Sequence, residues 1–421
     1  MRHGEHQAPA SAAGRGPSSA RDIGALFRRH GQSFLAAQAP SPQQRRALRD
    51  ISVCRTAALG GHLDVCQSCG LTRPAFNSCR NRHCPKCQAL RQARWVQNRM
   101  ERALPVPHFH VVFTLPAELR PLIAHNRERL YALLFAAAET IVQLASDHNR
   151  LGALVGVTAV LHTWGRNLTF HPHVHCIVTA GGLATDGLTW VPSDPGYLLP
   201  IKVLARLFRR KFLAAISKMY QQGELVLEGG AAPLADRLAF KRLCDALYDK
   251  DWVVYAKASF GNAHALFRYL GQYTHRVAAI SNHRILSADH HQIVFRTRGR
   301  AVCRLEPVDF IRRFLQHVLP PGFVKIRHFG LLAAGNINTK LAAARRAIDA
   351  TTGSSASNSN AAATPAPSSK PHSPKENTDW RDLFRRLTGI DLALCPVCGD
   401  TLLVAPLPAP LASAHAPPDT S

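Results

Sequence analysis

Apolar residues between Asp22 and Leu35 (Ile23, Leu26, Phe27, Phe34, Leu35) recur at helical spacing and predict an amphipathic helix. A second helix is predicted to open at Ser41, with the Ser41 hydroxyl as N-cap and Pro42 at the first helical position. Residues 52–90 are turn-rich, and a helix over Ala89–Ala103 follows, its exposed face strongly basic. His108–Leu115 is a β-rich run that Pro116 ends. Residues 127–146 carry Leu130, Leu133, Leu134, Ala137, Ile141 and Leu144 on one side and predict one long helix. Val155–Trp164 and Leu168–Ala180 are strand-like, the second ended by Gly181-Gly182. Helices over 201–221 and 233–248, a strand over Val253–Lys257, a helix over 262–275, a β-hairpin from Ile285 to Gly299 and a helix over Val308–Val318 complete the pattern. Strands interleaved with helices over about 200 residues indicate an α+β or α/β core.

The chain divides by composition. Residues 1–20 are rich in Ala, Ser, Gly and Pro and are expected to be disordered. Residues 21–100 hold the helical lead-in and a cysteine module, and 101–345 the mixed core. Residues 346–378 form a linker, which from 350 onward has no aromatic or bulky aliphatic residue. Residues 379–421 are a tail with one further Cys-x-x-Cys.

Composition adds a partner. Against 27 Asp and Glu stand 52 Lys and Arg, a net charge of +25 in 421 residues. The excess is spread in clusters (Arg80–Arg102, Arg206–Lys211, Arg312–Arg327), as expected of a folded surface that tracks a polyanion. Within Arg80–Arg102 the arginines Arg80, Arg82, Arg91 and Arg94 are candidate phosphate contacts. The uncharged runs Leu151–Gly165, Asn167–Thr185 and Thr401–Pro418 are each broken by His, Pro or Gly, so none supplies a membrane span. The first residues carry no apolar core of a secretory signal, and a cytoplasmic, nucleoid-associated protein is expected.

Of 11 cysteines, six lie between Cys54 and Cys87 and two form Cys395-Pro-Val-Cys398. Close Cys-x-x-Cys pairs and an odd total point to metal rather than disulfides. Cys66-x2-Cys69 followed after 14 residues by Cys84-x2-Cys87 predicts a closed S4 site for structural Zn²⁺, in a zinc-ribbon-like module. Interleaved with it, Cys54, His62, Cys79 and His83 are the candidates for a second zinc, or are ordinary buried and surface residues. Cys395 and Cys398 supply half a site: a remnant, or one completed by another chain.

Phe170-His-Pro-His-Val-His-Cys-Ile-Val178 carries the catalytic argument. Alternate residues of a strand share a face, so His173 and His175 point together while Val174 points into the other layer. Two imidazoles on a rigid strand are a platform for a divalent ion. They are equally the polar face of an ordinary strand, and His108-Phe-His110 repeats the pattern. A second feature is Tyr269-Leu-Gly-Gln-Tyr273: at i and i+4 on a helix the two phenols share a face. A cation polarising a phosphate would make a phenol usable as a nucleophile. Arg268 and Arg276 flank the pair.

In this order VVFTLP, HPHVHCIV and YLGQYTHR resemble the three motifs of the HUH endonuclease superfamily. CRTAALGGH, NSCRNRHCPKCQ, HTWGRNLTFHPHVHCIVTAGG, YLGQYTHRVAAISNHRIL and FIRRFLQHVLPPGFVKIRHFG resemble the two-tyrosine transposases of the insertion-sequence-ninety-one type, over about residues 22–345. The resemblance implies a central antiparallel sheet flanked by helices, with His108 and His110 in the first-motif strand. It implies that His173 and His175 bind Mg²⁺ or Mn²⁺, and that Tyr269 and Tyr273 attack single-stranded DNA at transposon ends and target to leave 5′-phosphotyrosine and a free 3′-OH. Gln272, His275 and His171 are candidates for a third ligand. The cysteine module resembles the family's zinc-binding domain. No phosphate loop of the G-x-x-x-x-G-K-[ST] type is present, so unwinding is expected from host factors. A plasmid-type replication initiator or relaxase, and a non-catalytic zinc-dependent DNA-binding protein, are the alternatives.

Overall fold

The computed structural model describes residues 21–258, 271, 280–297, 301–354 and 380–408. Helix α1 spans Ile23–Ala37, its first turn capped by Asp22, whose carboxylate accepts the Ala25 N–H at 3.2 Å. Helix α2, Pro42–Ser52, opens with a reciprocal capping box: Ser41 accepts from the Gln44 N–H, and Gln44 accepts from the Ser41 N–H. A three-stranded sheet follows from β1 (Gly61–Val65) and β2 (Thr72–Phe76), joined by β12 (Leu403–Pro406) from the other end of the chain, in the order β12-β1-β2. Helix α3 covers Ala89–Arg102.

The main sheet has β3 (His108–Thr114), β4 (Ala153–Trp164), β5 (Phe170–Ala184), β7 (Val254–Ala258) and β11 (Ile326–Gly330) in the order β11-β4-β5-β3-β7, with β6 (Trp190–Pro192) on β5. Every pairing is antiparallel, so the fold is α+β with a central antiparallel sheet. On one face Phe109, Val111, Phe113, Val157, Ala159, Leu161, Val174, Cys176 and Val178 are buried under α4 (Arg120–His125), α5 (Arg127–Leu133), α6 (Ala136–Ser146), α7 (Ile201–Gln221) and α8 (Arg237–Asp249). Strict alternation along β3, β4 and β5 sends the residues between these to the other face.

Two expectations change. The helix expected over 127–146 is α5 and α6, interrupted at Leu134 and Phe135. There the backbone tightens to i→i−3 bonds, from the Phe135 N–H to the Ala132 carbonyl and from the Ala137 N–H to the Leu134 carbonyl, both at 3.2 Å. The strand expected to end at Gly181-Gly182 runs through it to Ala184. A Cβ on Gly181 would fall 2.6 Å from the Val191 carbonyl, and one on Gly182 2.6 Å from that of Leu154. The glycines thus admit neighbouring backbones rather than ending the strand.

A second core joins α1 and α2 to the strands β8 (Ile285–Ala288), β9 (Ile293–Arg296) and β10 (Val302–Leu305) and to α9 (Pro307–Leu315). It therefore draws on residues from both sides of position 100. A third cluster seats α10 (Lys340–Ser354) on Leu183 and Trp190. Helix α11 (Trp380–Thr388) lies on α3. Among the described residues no helix is long and apolar enough to cross a membrane.

Candidate functional site

His173 and His175 share the sheet face opposite the helical core, and the register adds a third ring. His162 of β4 stands directly opposite His173 of β5. One nitrogen from each of His162, His173 and His175 can lie within 4.8 Å of the others. Ring centroids are 4.1 Å apart for His162 and His175 and 5.4 Å for His162 and His173. The Trp164 indole stacks on His162 at 4.7 Å. Two further contacts orient the rings. His173 Nδ1 lies 2.6 Å from the His171 carbonyl, which only a donated proton satisfies, so Nε2 is left as the acceptor. His175 Nδ1 lies 2.7 Å from Nε2 of His110, its diagonal neighbour on β3. His171 itself is not in the group, although its ring is 5.1 Å from that of His173.

The rings are held neutral. Burial, then the neighbouring His175 and His173, keep His162 well below the ordinary imidazole range, and burial does the same for His175. Burial brings His173 down to about 4, partly opposed by its bond to the His171 carbonyl. Neutral imidazole is the form that binds a metal. Lys325, beside β4, is brought down to about 7 by burial and then by Arg82. Its residual charge also acts on His162.

The same face is closed by α3. Trp95, Met100 and Ala103 pack on Ile177, one step along β5 from His175, and Arg99 reaches His328 of β11 at 2.8 Å. Tyr269, Tyr273, Gln272, His275, Arg268 and Arg276 lie outside the described residues. Gly271, between the two tyrosines, is described: it is helical and buried, and a Cβ there would fall 2.4 Å from Val96 Cγ2 and 3.9 Å from Trp95 Cζ3. Trp95 therefore neighbours both the histidine face and Gly271. Arg80, Arg91 and Arg94 are exposed, Arg80 with a left-handed backbone (φ 54°). Arg82 is a correction: both of its terminal nitrogens donate to the Phe323 carbonyl at 3.0 Å, so it ties the cysteine module to the core instead of facing solvent.

The cysteines sort differently from their spacing. Cys84 and Cys87 do not join Cys66 and Cys69; they group with Cys54 and Cys79, while Cys66 and Cys69 group with Cys395 and Cys398. Sulfur separations are 3.5 Å for Cys54–Cys84 and 3.9 Å for Cys79–Cys87. They are 3.4 Å for Cys66–Cys398 and 3.6 Å for Cys69–Cys395. Zn–S bonds of about 2.3 Å in a tetrahedron put sulfurs about 3.8 Å apart, so both sets have the dimensions of a ZnS4 site. In the first set the Cys79 N–H points to Cys54 Sγ at 3.5 Å, and hydrogen bonds from Cys79, Cys84 and Cys87 hold Cys54 far toward thiolate. Arg55 and Arg80, each directly after a cysteine of this set, have positive φ, strain of the kind tight ligand turns store.

His62 and His83 join neither set. His62 is drawn to Asp64, its neighbour on the same side of β1, at 3.2 Å. His83 is buried, its Nε2 accepting the Leu319 N–H at 3.1 Å and its Nδ1 meeting Asn81 at 3.2 Å. Burial, then Arg82 and Lys325, hold it at about 3. Both nitrogens are engaged, so it pins the module to the core. His162 and Lys325 escaped the sequence reading, which placed His110 in the first-motif strand but gave it no part in the site; the signal for His162 was a histidine on the strand that pairs with the His-x-His strand.

A thiol-rich module joined to a basic α+β core with a buried imidazole face is the equipment of a zinc-module protein that handles nucleic acid. Residues 26–115 match the family model described as "Transposase zinc-binding domain", and residues 156–340 the one described as "Putative transposase". The chain is 42% identical over 388 residues to "Putative transposase y4qJ" of Sinorhizobium fredii, covering 90% of this chain and 93% of that one. It is 31% identical over 309 residues to the "Transposase for insertion sequence element IS801" of Pseudomonas savastanoi pv. phaseolicola, covering 68% and 71%. No solved structure matches. The chain belongs to the transposases of the insertion-sequence-ninety-one type: a DNA-processing enzyme with a zinc-binding domain.

Proposed function

We propose that this transposase nicks and joins single-stranded DNA by HUH-type chemistry, with Tyr269 and Tyr273 as nucleophiles and His162, His173 and His175 as the cation site. The observation that carries the reading is the convergence of three neutral imidazoles on the face closed by α3, whose Trp95 also neighbours the glycine between the two tyrosines. Three imidazoles suit Mn²⁺ better than Mg²⁺, which prefers oxygen ligands. A cation bound there would polarise a phosphate oxygen. A tyrosine Oη attacks the phosphorus, the P–O3′ bond breaks, and the 3′-oxygen leaves as a hydroxyl. The phosphotyrosine conserves the bond energy, and a 3′-OH attacking it reverses the step. Two tyrosines permit successive cleavages at donor and target. For His175 to present Nε2, its Nδ1 carries the proton and donates to His110, which makes His110 a positioning residue. Arg80, Arg91, Arg94, Arg268 and Arg276 hold phosphates. Cys54, Cys79, Cys84 and Cys87 hold a structural Zn²⁺, all four positions filled by thiolate.

The test is a denaturant-resistant adduct between the full chain and labelled single-stranded DNA in Mn²⁺. Wild type is expected to form it, Tyr269→Phe and Tyr273→Phe each to alter it, and the double variant to form none. Adduct from the double variant would refute the nucleophiles. Salt-sensitive binding with no adduct from wild type would favour a non-catalytic DNA-binding protein.

A further inference from the structure

Cys66-Gln-Ser-Cys69-Gly70 and Cys395-Pro-Val-Cys398-Gly399 are the same turn made twice. In each, the glycine N–H donates to the first cysteine's carbonyl, at 3.0 Å in Gly70 and 2.9 Å in Gly399. In each, the first cysteine's N–H donates to the carbonyl five residues on, Leu71 at 2.8 Å and Asp400 at 2.7 Å. Both glycines are left-handed, with φ 72° and 81°, and a Cβ would meet nothing within 4 Å at either. The glycines are therefore needed for the turn and not for packing. The turns face each other across four sulfurs, Ser68 donates to Asp400, and β12 pairs with β1 from Val65↔Leu403 to His62↔Pro406. Leu71 and Leu402 pack on Cys66 and Cys395.

We propose that Cys66, Cys69, Cys395 and Cys398 bind a second structural Zn²⁺, so that one zinc ribbon is built half from each end of the same chain and clasps the C-terminal arm onto the N-terminal module. The sulfur geometry and the paired turns carry this independently of the nicking chemistry. Cross-linking positions more than 300 residues apart, such a site constrains the unfolded chain much as a long-loop covalent link does. It also fixes α11 on α3.

The test uses the exposure of two of the ligands. Cys69 and Cys398 are exposed, and as free thiols they would react with an alkylating agent. In the full-length protein purified with zinc, all four cysteines are expected to resist alkylation and to become reactive together on chelation, read residue by residue by mass spectrometry. Metal analysis should give two zincs per chain, falling to one in Cys395→Ser/Cys398→Ser, in which Cys66 and Cys69 alone gain reactivity while the other tetrad stays protected. Rapid alkylation of Cys69 and Cys398 in the zinc-loaded wild type would overturn the proposal, as would unchanged zinc content in the double variant. A zinc-dependent dimer at low concentration would overturn closure within one chain. The alkylation arm needs no variant, so misfolding of the double serine cannot obscure it.

Discussion

The two faces of the main sheet are made from the same strands and could hardly differ more. On β5, Val174, Cys176 and Val178 enter the apolar core, while His173, His175 and Ile177 face α3 and a neighbouring histidine strand. The apolar face gains stability in proportion to what it hides from water. The histidine face loses some, because each buried imidazole is denied a proton that the unfolded chain would take. What it gains is three neutral imidazoles held at fixed separation, the arrangement our proposed cation site requires. Stability and chemistry are thus separated by a period of two along the strand.

The largest test of that contrast is acid. Burial holds His108, His173 and His328, all on the histidine face, at about 4, whereas an unfolded histidine titrates near ~6.5. Below that value the unfolded state binds protons that the folded face refuses, so stability falls as pH falls from about 6.5 to about 4. The slope is up to ~1.4 kcal/mol per pH unit for each fully buried ring. Several rings together should remove much of a typical domain stability of ~5–15 kcal/mol by pH 4.5. Thermal melts of zinc-loaded protein without added Mn²⁺, from pH 7.5 to 4.5, should show a steep decline beginning near 6.5; a flat profile would mean the face is already protonated and cannot be a neutral ligand set.

Next comes a reciprocal pair. Phe113, fully buried and edge-on to Phe208 at 5.2 Å, belongs to the apolar face. Phe113→Ala should cost about 3–5 kcal/mol of stability in denaturant melts, yet leave the folded fraction competent for adduct. His175→Ala should cost less, about 1–3 kcal/mol, because it leaves the His110 nitrogen without its partner, while cutting adduct by at least about 100-fold. If both variants lose stability alike and adduct alike, the two faces are not separate in function.

Much of this was legible in the residues. Alternation along HPHVHCIV assigned the faces of β5, and the Ser41 cap with Pro42 behind it marked a helix start that the structure retains. Pairing across strands was not legible: that His162 stands opposite His173 depends on register, which is set by the whole sheet. The cysteines went wrong for the same reason. Spacing favours the near pair, but Cys84-Pro-Lys-Cys87 is followed by Gln88, without the left-handed glycine that ends the other two turns. The repeated Cys-x-x-Cys-Gly at 66–70 and 395–399 was the available signal, and chain separation concealed it.

The smallest effect sharpens where the histidine face ends. Gly271 lies so close to α3 that a methyl group would sit 2.4 Å from Val96 Cγ2. Ala is favoured over Gly in a helix by about 1 kcal/mol, whereas overpacking against a β-branched side chain costs about 1–3 kcal/mol. Gly271→Ala should therefore destabilise slightly, by roughly 0–2 kcal/mol, and shift this backbone away from α3, lowering adduct yield more than stability. Val96→Ala should restore both in the double variant, because it removes the methyl that the new Cβ meets and leaves the helical preference of alanine. A double variant no better than Gly271→Ala alone would separate the tyrosine segment from α3, and with it from the imidazoles that α3 covers.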